Sequence, residues 1–199
     1  EFYRGVKSKM RETLTLRGLV VGKRQWVADV VTELHANEDW PDFPTGAMKK
    51  GETRRSENFI WYELEGDKFR RVRSGRHSGN PSPTSPPQPV VVADATQPAF
   101  SAEEFAAYMD AFNKDDYASF GDHYTDDVRL VIAGDRALSG RQAIFDFYKT
   151  VKSQTRRTIQ INRLVTTPGL FAAELQSEFL ALEDLPDFVA GPMKKGGRI

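Results

Sequence analysis

The sequence predicts an α+β protein in which antiparallel strands pack on helices, and it predicts two copies of this arrangement. Three observations support the prediction. One sequence unit occurs twice, at residues 1–54 and 146–199. Apolar residues at helical spacing follow Ser101, and residues that alternate between apolar and polar follow in each copy of the unit. Helices ahead of alternating strands are typical of folds that place helices on one face of an antiparallel sheet.

The repeat aligns without gaps at an offset of 145 residues, with roughly 22 of 54 positions identical. Its densest stretch matches residues 38–51 with residues 183–196. We therefore expect the C-terminal part of a first domain at 1–77 and a second domain at 99–199. Residues 78–98 hold five prolines from Pro81 to Pro89, a composition that cannot form a core, and are predicted to be a linker.

The two copies display different parts of the predicted domain. The first is followed by a predicted strand hairpin, at Glu57–Leu64 and Lys68–Arg73, for which the second has no counterpart. The second is preceded by residues 101–145, for which the first has no counterpart. Two alternatives remain open: the chain is the middle of a longer tandem protein, or domains or subunits exchange pieces to complete each fold.

Helices are predicted at three places ahead of the second copy's strands. Ser101 and Glu104 form a capping box, and an apolar stripe follows: Phe105, Tyr108, Met109 and Phe112. A short helix is expected within Asp115–Thr125, carrying Tyr117, Phe120 and Tyr124. Ser139 and Gln142 predict a second capping box, and the helix that it opens has one apolar side: Ile144, Phe145, Tyr148 and Val151.

Strands are predicted in the remaining alternating segments. One carries Val128, Leu130 and Ile132 and ends at a turn, Gly134–Asp135. Two more occur in each copy, near residues 13–20 and 25–37 and near 158–165 and 170–182. In the second strand of each pair, one parity holds only small or apolar residues. Because side chains alternate across a strand, that face lines a core or a cavity.

This order of elements, with Tyr124–Val128 leading into the first strand, resembles the NTF2-like superfamily and its SnoaL-like domains in particular. The segment 64–72 is similar to the family's closing hairpin, although Gly66-Asp67-Lys68 stands where Asp-Gly-Lys is usual. The resemblance implies an α+β cone, a curved antiparallel sheet wrapped on helices around a pocket, and dimerisation through the outer sheet face. Members include isomerases, cyclases, dehydratases, epoxide hydrolases and noncatalytic modules, so the fold does not determine the function.

The amino-acid composition limits the kinds of site and catalysis that we expect. The chain has no cysteine and three histidines, so we expect no metal site and no cofactor, and any catalysis would be acid–base work on a small hydrophobic molecule. Lysine plus arginine equals aspartate plus glutamate at 28 each, which argues against nucleic acid as a partner despite a basic hairpin at 68–77. No apolar run suggests a membrane span or a secretory signal, and a cytoplasmic location is predicted.

The candidate catalytic residues are His123 and Tyr124, at the junction of helix and strand, and Asp42 and Asp187, which occupy equivalent positions of the repeated loop. A surface histidine beside a core tyrosine, and a purely structural loop, are the alternatives. The residues predicted to line the pocket are Trp26, Tyr108, Phe112, Phe120, Tyr148 and Phe171. As partners we expect the small molecule and a second copy in a dimer, or pairing of the two domains within the chain. The rival to an enzyme is a noncatalytic binding or dimerisation module.

Overall fold

The computed structural model describes residues 7–79, 91–132, 136–188 and 191–199, without side-chain placement for residues 77–79 and 136. The described residues form two compact units, one ending at Asp94 and the other beginning at Ala95. Both contain antiparallel sheet, and the second contains three helices, so the described residues combine helix with antiparallel sheet as the α+β prediction expects. The predicted turn at Gly134–Asp135 and the start of the first repeat at Glu1 lie outside the described residues.

Unit 1 is a four-stranded antiparallel sheet with its strands in chain order. They are β1 (Met10–Val21), β2 (Gln25–Ala36), β3 (Thr53–Glu65) and β4 (Lys68–Gly79). The predicted hairpin is present as β3 and β4. Its two-residue turn contains Gly66 at a φ of 62°, a left-handed conformation that costs glycine little because it has no Cβ.

Both faces of this sheet carry apolar side chains. One face carries apolar side chains from β1 and β4, and several remain exposed, with Leu14 at 57%. The opposite face carries buried apolar residues such as Val27, and it also carries an ion-pair network across three strands. Arg17 bonds the carboxylates of Glu57 at 2.6 Å and Asp29 at 3.1 Å. This network joins β1, β2 and β3 beside the buried apolar residues of that face.

Unit 2 places three helices with two strand pairs. The helices are α1 (Ala102–Asn113), α2 (Tyr117–Gly121) and α3 (Arg141–Gln154). The strand pairs are β5 (Arg129–Ile132) with β6 (Arg136–Ser139), and β7 (Thr155–Thr167) with β8 (Leu170–Ala181). The core of this unit consists of Phe105, Met109 and Phe112 of α1, Phe120 of α2 and Ile159 of β7, among others.

The side chain of Asn113 connects α1 to β7 through two hydrogen bonds. The Asn113 amide donates to the carbonyl of Ile159 at 3.0 Å and accepts from the N–H of Ile159 at 3.0 Å. Because both backbone groups of Ile159 are paired by one residue, the end of α1 is held at a fixed position on the strand.

The two predicted capping boxes have different outcomes. The first is confirmed: the Glu104 N–H donates to Ser101 Oγ at 3.0 Å, and the Ser101 N–H donates to the Glu104 carboxylate at 2.7 Å. The second is wrong. Ser139 ends β6, the helix is capped by Gly140 at a φ of 83°, and the Gln142 amide donates to Asp146 at 2.7 Å. Ser139 cannot cap because it is paired with Arg129 in the strand ladder.

The β1–β2 and β7–β8 hairpins share one register at the offset seen in the sequence. Met10 pairs with Ala36 as Thr155 pairs with Ala181, and each first strand has one bulged residue, Arg17 or Asn162. The loops that follow also match. The backbone N–H of Lys50 donates to Asp39 at 2.8 Å, and that of Lys195 donates to Asp184 at 2.9 Å.

Short segments beside these hairpins extend their pairing. Residue Val91 of the predicted linker pairs with β1, where its N–H donates to the Arg17 carbonyl at 2.7 Å. At the other end of the linker, the Pro98 carbonyl accepts from the Gly169 N–H at 3.1 Å. In unit 2, Ile199 exchanges two backbone hydrogen bonds with Phe179 of β8, and Arg198 forms an isolated bridge with Leu180.

Candidate ligand-binding site

Three tyrosines from different elements of unit 2 converge beside the core. Tyr108 lies on α1, Tyr124 follows α2 and Tyr148 lies on α3, and each ring is half-buried against the same cluster. The hydroxyl oxygens of Tyr108 and Tyr124 are 2.6 Å apart, which makes them a direct hydrogen-bonded pair. The stripe of α1 brings Tyr108 inward as its spacing predicts, whereas Asp110 faces water and pairs with Lys114.

Burial favours the neutral, protonated form of these hydroxyls. Desolvation raises the pKa of Tyr108, of Tyr124 and of Tyr148 above the value of free tyrosine, because the phenolate form loses its hydration. All three are therefore neutral near pH 7, and each can donate a hydrogen bond. Such groups serve as hydrogen-bond donors or general acids, not as bases at this pH.

A cation lies beside the tyrosines. Arg157 of β7 donates to Ser177 Oγ at 3.1 Å and lies beside the Tyr148 hydroxyl, whose pKa its charge lowers in part. Its guanidinium lies over the rings of Phe179, at 4.9 Å from the centroid, and Phe112, at 5.6 Å. Desolvation by these neighbours lowers the pKa of Arg157, although an arginine stays protonated in proteins. Its Nε atom is buried without a hydrogen bond.

An aromatic wall borders the hydroxyl pair. Phe171 of β8 stacks on Phe100 with ring centroids 5.3 Å apart and contacts Phe105 at 5.2 Å. Phe171 is nonetheless 42% exposed, so this wall is reachable from solvent. Polar hydroxyls next to an accessible apolar surface are the usual composition of a site for a small organic molecule.

The structure brings some of the predicted site residues together. His123 is exposed, and the edge of its ring meets Phe100 at 5.5 Å and Tyr108 at 5.4 Å between centroids. His123, Tyr124, Tyr108 and Phe171 are thus neighbours. Phe112, Phe120 and Tyr148 lie one layer deeper, where Phe112 meets Phe120 at 5.6 Å and Tyr148 at 4.8 Å.

The other predicted residues lie elsewhere. Asp187 is exposed in the loop after β8, next to Phe188, whose ring is 5.1 Å from that of Phe179. Asp42 and Trp26 belong to unit 1, where Asp42 is exposed and Trp26 contacts Phe69 at 5.7 Å. The carboxylates that organise the repeated loops are Asp39 and Asp184, each bonded to a lysine side chain.

Sequence reasoning missed Arg157. A signal was present, because Arg157 occupies the same strand parity as Thr155 and Ile159, which are buried. A charged residue is unusual at a strand position whose neighbours on the same face are buried, and it indicates a specific partner or role. The equivalent residue of the first copy is Glu12, so comparison of the copies would also have singled it out.

Comparison with known proteins adds a family for this segment. Residues 105–190 match the SnoaL-like domain. These residues form a SnoaL-like domain of the NTF2-like superfamily, and they include Tyr108, Tyr124, Tyr148 and Arg157. No curated protein and no solved structure matches the chain.

Two further properties concern the described residues as a whole. Their histidine and carboxylate side chains nowhere form a group of three or more that could hold a metal ion. A helix of the length and apolarity needed to cross a membrane does not occur among them.

Proposed function

We propose that the SnoaL-like domain binds a small, largely hydrophobic molecule and catalyses cofactor-free proton transfer on it, as an isomerase, cyclase or dehydratase does. The observation that carries the proposal is the Tyr108–Tyr124 hydroxyl pair, 2.6 Å apart at the edge of an accessible aromatic wall. The apolar part of the ligand would lie on Phe100 and Phe171. A carbonyl oxygen of the ligand would accept a hydrogen bond from the one hydroxyl of the pair that does not donate to its neighbour.

The proposed chemistry follows from neutral donors in a partly dry site. When a base removes a proton from the carbon next to a carbonyl, the electron pair of the C–H bond moves to the oxygen and forms an enolate. Hydrogen bonds from tyrosine hydroxyls stabilise that developing charge. Return of the proton to another carbon completes an isomerisation. His123 is the proposed base, because it is exposed and its ring lies beside Tyr108.

We further propose that unit 1 is part of a second domain of the same family. Support comes from the shared register of the β1–β2 and β7–β8 hairpins, from the bulges at Arg17 and Asn162, and from the matched loops at Asp39 and Asp184. Unit 1 contains Glu12 where unit 2 has Arg157. The proposed activity is therefore assigned to unit 2.

A noncatalytic binding or dimerisation module is the second candidate. The mutual packing of Phe100, Phe105 and Phe171, with centroid distances of 5.2–6.4 Å, favours it, because side chains that fill a face leave less room for a ligand. It predicts that small aromatic molecules do not bind at the hydroxyl pair.

The experiment is a binding titration with 2-naphthol, whose hydroxyl on an aromatic frame imitates an enol. The wild type should bind, and Tyr108→Phe should weaken binding roughly 2- to 12-fold, the effect of one lost hydrogen bond. Tyr117→Phe is the matched control, since Tyr117 packs on Phe120 and Phe145 without joining the hydroxyl pair. Equal affinities of wild type and Tyr108→Phe would contradict the proposed role of the pair.

A further inference from the structure

We propose that the ligand of this domain carries an anionic group, such as a carboxylate, and that the guanidinium of Arg157 binds it. The inference rests on the proposed function, because it names the class of molecule that the same domain would take. It depends on the position of Arg157, on the partners that its atoms have, and on the surface next to it.

The side chain of Arg157 lies on the face of β7 that packs against the helices. In the β7–β8 ladder, Arg157 is opposite Phe179 and shares its strand face with Ile159, whose side chain is part of the core. The carbonyl and N–H of Ile159 are bonded by Asn113 of α1. The guanidinium is therefore on the side of the hairpin that also carries the tyrosine cluster, and it is partly removed from solvent.

The recorded partners of Arg157 are neutral. They are Ser177 Oγ at 3.1 Å, the Tyr148 side chain and the rings of Phe112 and Phe179. Within the described ranges, no carboxylate forms a salt bridge with Arg157. A partly buried charge without a counter-ion is costly, and proteins usually pair such a group.

The neighbouring arginines of the same hairpin show the contrast. Arg163 of β7 pairs with Glu174 at 3.7 Å, and Arg198 pairs with Glu178. In unit 1, Arg17 has two carboxylates. Arg157 has no such carboxylate, and its Nε is buried without a hydrogen bond, as is that of Arg17. A planar guanidinium with an unused donor matches the geometry of a carboxylate.

The surroundings define the rest of the ligand. Tyr148 lies beside Arg157, and the guanidinium is over the ring of Phe179. Phe171 lies eight residues from Phe179 along β8, roughly 26 Å of extended strand, and is therefore outside the reach of a small molecule bound at Arg157. A molecule with a flat apolar body and one carboxylate would place its charge at the guanidinium and its body against Phe179. A purely structural Arg157, held only by its packing on Phe112 and Phe179, would show no preference for anions.

The test compares two probes of nearly the same shape, 2-naphthoate and the neutral 2-naphthalenemethanol, by calorimetric titration of the whole chain. The wild type should bind 2-naphthoate at least roughly tenfold more tightly, as expected for a charge-assisted hydrogen bond. Arg157→Gln should remove that preference and leave binding of the alcohol unchanged. Arg156→Gln is the control, because Arg156 is exposed and on the opposite face of the same strand.

A measurement on the wild type makes the test independent of the variant's folding. The Nε–H resonance of Arg157 should shift on titration with 2-naphthoate and stay in place with the alcohol. Equal affinities for both probes, or a preference that survives Arg157→Gln, would overturn the inference and leave the proposed function standing. Failure of both probes to bind would also overturn the inference, whereas the proposed function is tested separately by the titration with 2-naphthol.

Discussion

Asn113 is the residue on which the contact between α1 and β7 depends most directly. Its amide satisfies the N–H and the carbonyl of Ile159, a residue that is itself buried in the core. The side chain of Asn113 therefore substitutes for a neighbouring strand at this point of β7. An apolar side chain of any size would leave both backbone groups unpaired.

We expect Asn113→Ala to lower the free energy of unfolding by about 1–3 kcal/mol, because a buried donor and acceptor lose their partner. Urea denaturation followed by circular dichroism would measure it. Asn162→Ala is the control, since Asn162 is an exposed residue at the bulge of β7. Equal stability of the two variants would show that water replaces the amide.

The residues of the candidate site were predicted only in part. His123 and Tyr124 could be singled out by type and position, and Tyr108 by its place on an apolar stripe. The convergence of Tyr108, Tyr124 and Tyr148 is tertiary, since three separate elements carry them, and local periodicity contains no information on it. Arg157 was missed because its position depends on tertiary packing against Phe112 and Phe179, which the sequence does not show.

At the scale of elements, more of the structure could be predicted from the sequence than at the candidate site. Strand parity survived in both copies, and the Ser101–Glu104 capping box formed as its spacing indicates. The predicted boundaries of the strands were less accurate. Both first strands begin three residues earlier than their predicted starts, at Met10 and Thr155. Pairing with the second strand, which periodicity cannot show, extends the ladder to those residues.

The start of α1 gives a paired test of helix capping. Ser101→Ala should cost about 1 kcal/mol, because the N–H of Glu104 loses its acceptor. Ser139→Ala should be close to neutral, since Gly140 occupies the cap position of α3. Thermal unfolding would measure both variants. A cost at Ser139 equal to that at Ser101 would contradict the assignment of Gly140 as the cap.

The carboxylate of this capping box also predicts a pH dependence. The hydrogen bond from the Ser101 N–H lowers the folded-state pKa of Glu104 below the ordinary value of a glutamate carboxyl, about 4.3. Its contribution is therefore complete above that value and is lost as the pH falls through the lower, folded-state pKa. The stability difference between wild type and Glu104→Ala should shrink between pH 7 and pH 3. A difference that is constant over this range would exclude the carboxylate as its source.

At the scale of the whole molecule, the two units have separate cores. Met10, Ala36 and Met48 form one in unit 1, whereas the cluster around Phe112 and Phe120 belongs to unit 2. The spectroscopic probes of the chain, its tryptophans and its helices, are also divided between the two units. Its three tryptophans, Trp26, Trp40 and Trp61, are all in unit 1, and α1–α3 are in unit 2. Tryptophan fluorescence therefore reports on unit 1, and helical circular dichroism reports mainly on unit 2, since the helix described in unit 1 comprises residues 7–9.

We expect the units to unfold independently. Phe120→Ala removes a side chain that is 0% exposed and should destabilise unit 2 by about 3–5 kcal/mol, shifting the 222 nm transition but not the fluorescence transition. Met48→Ala, at 1% exposure, should do the reverse at a cost of about 2–5 kcal/mol. Transitions that shift together in either variant would mean that the two cores unfold as one.

The bulges at Arg17 and Asn162 have a consequence for how repeated units diverge. A bulged residue faces no partner across the ladder, so its replacement leaves the register of every other pair intact. In one unit the position supports a charge network with Asp29 and Glu57, and in the other it carries an exposed amide. A substitution at this position therefore changes the surface chemistry of either hairpin while the hairpin keeps its geometry.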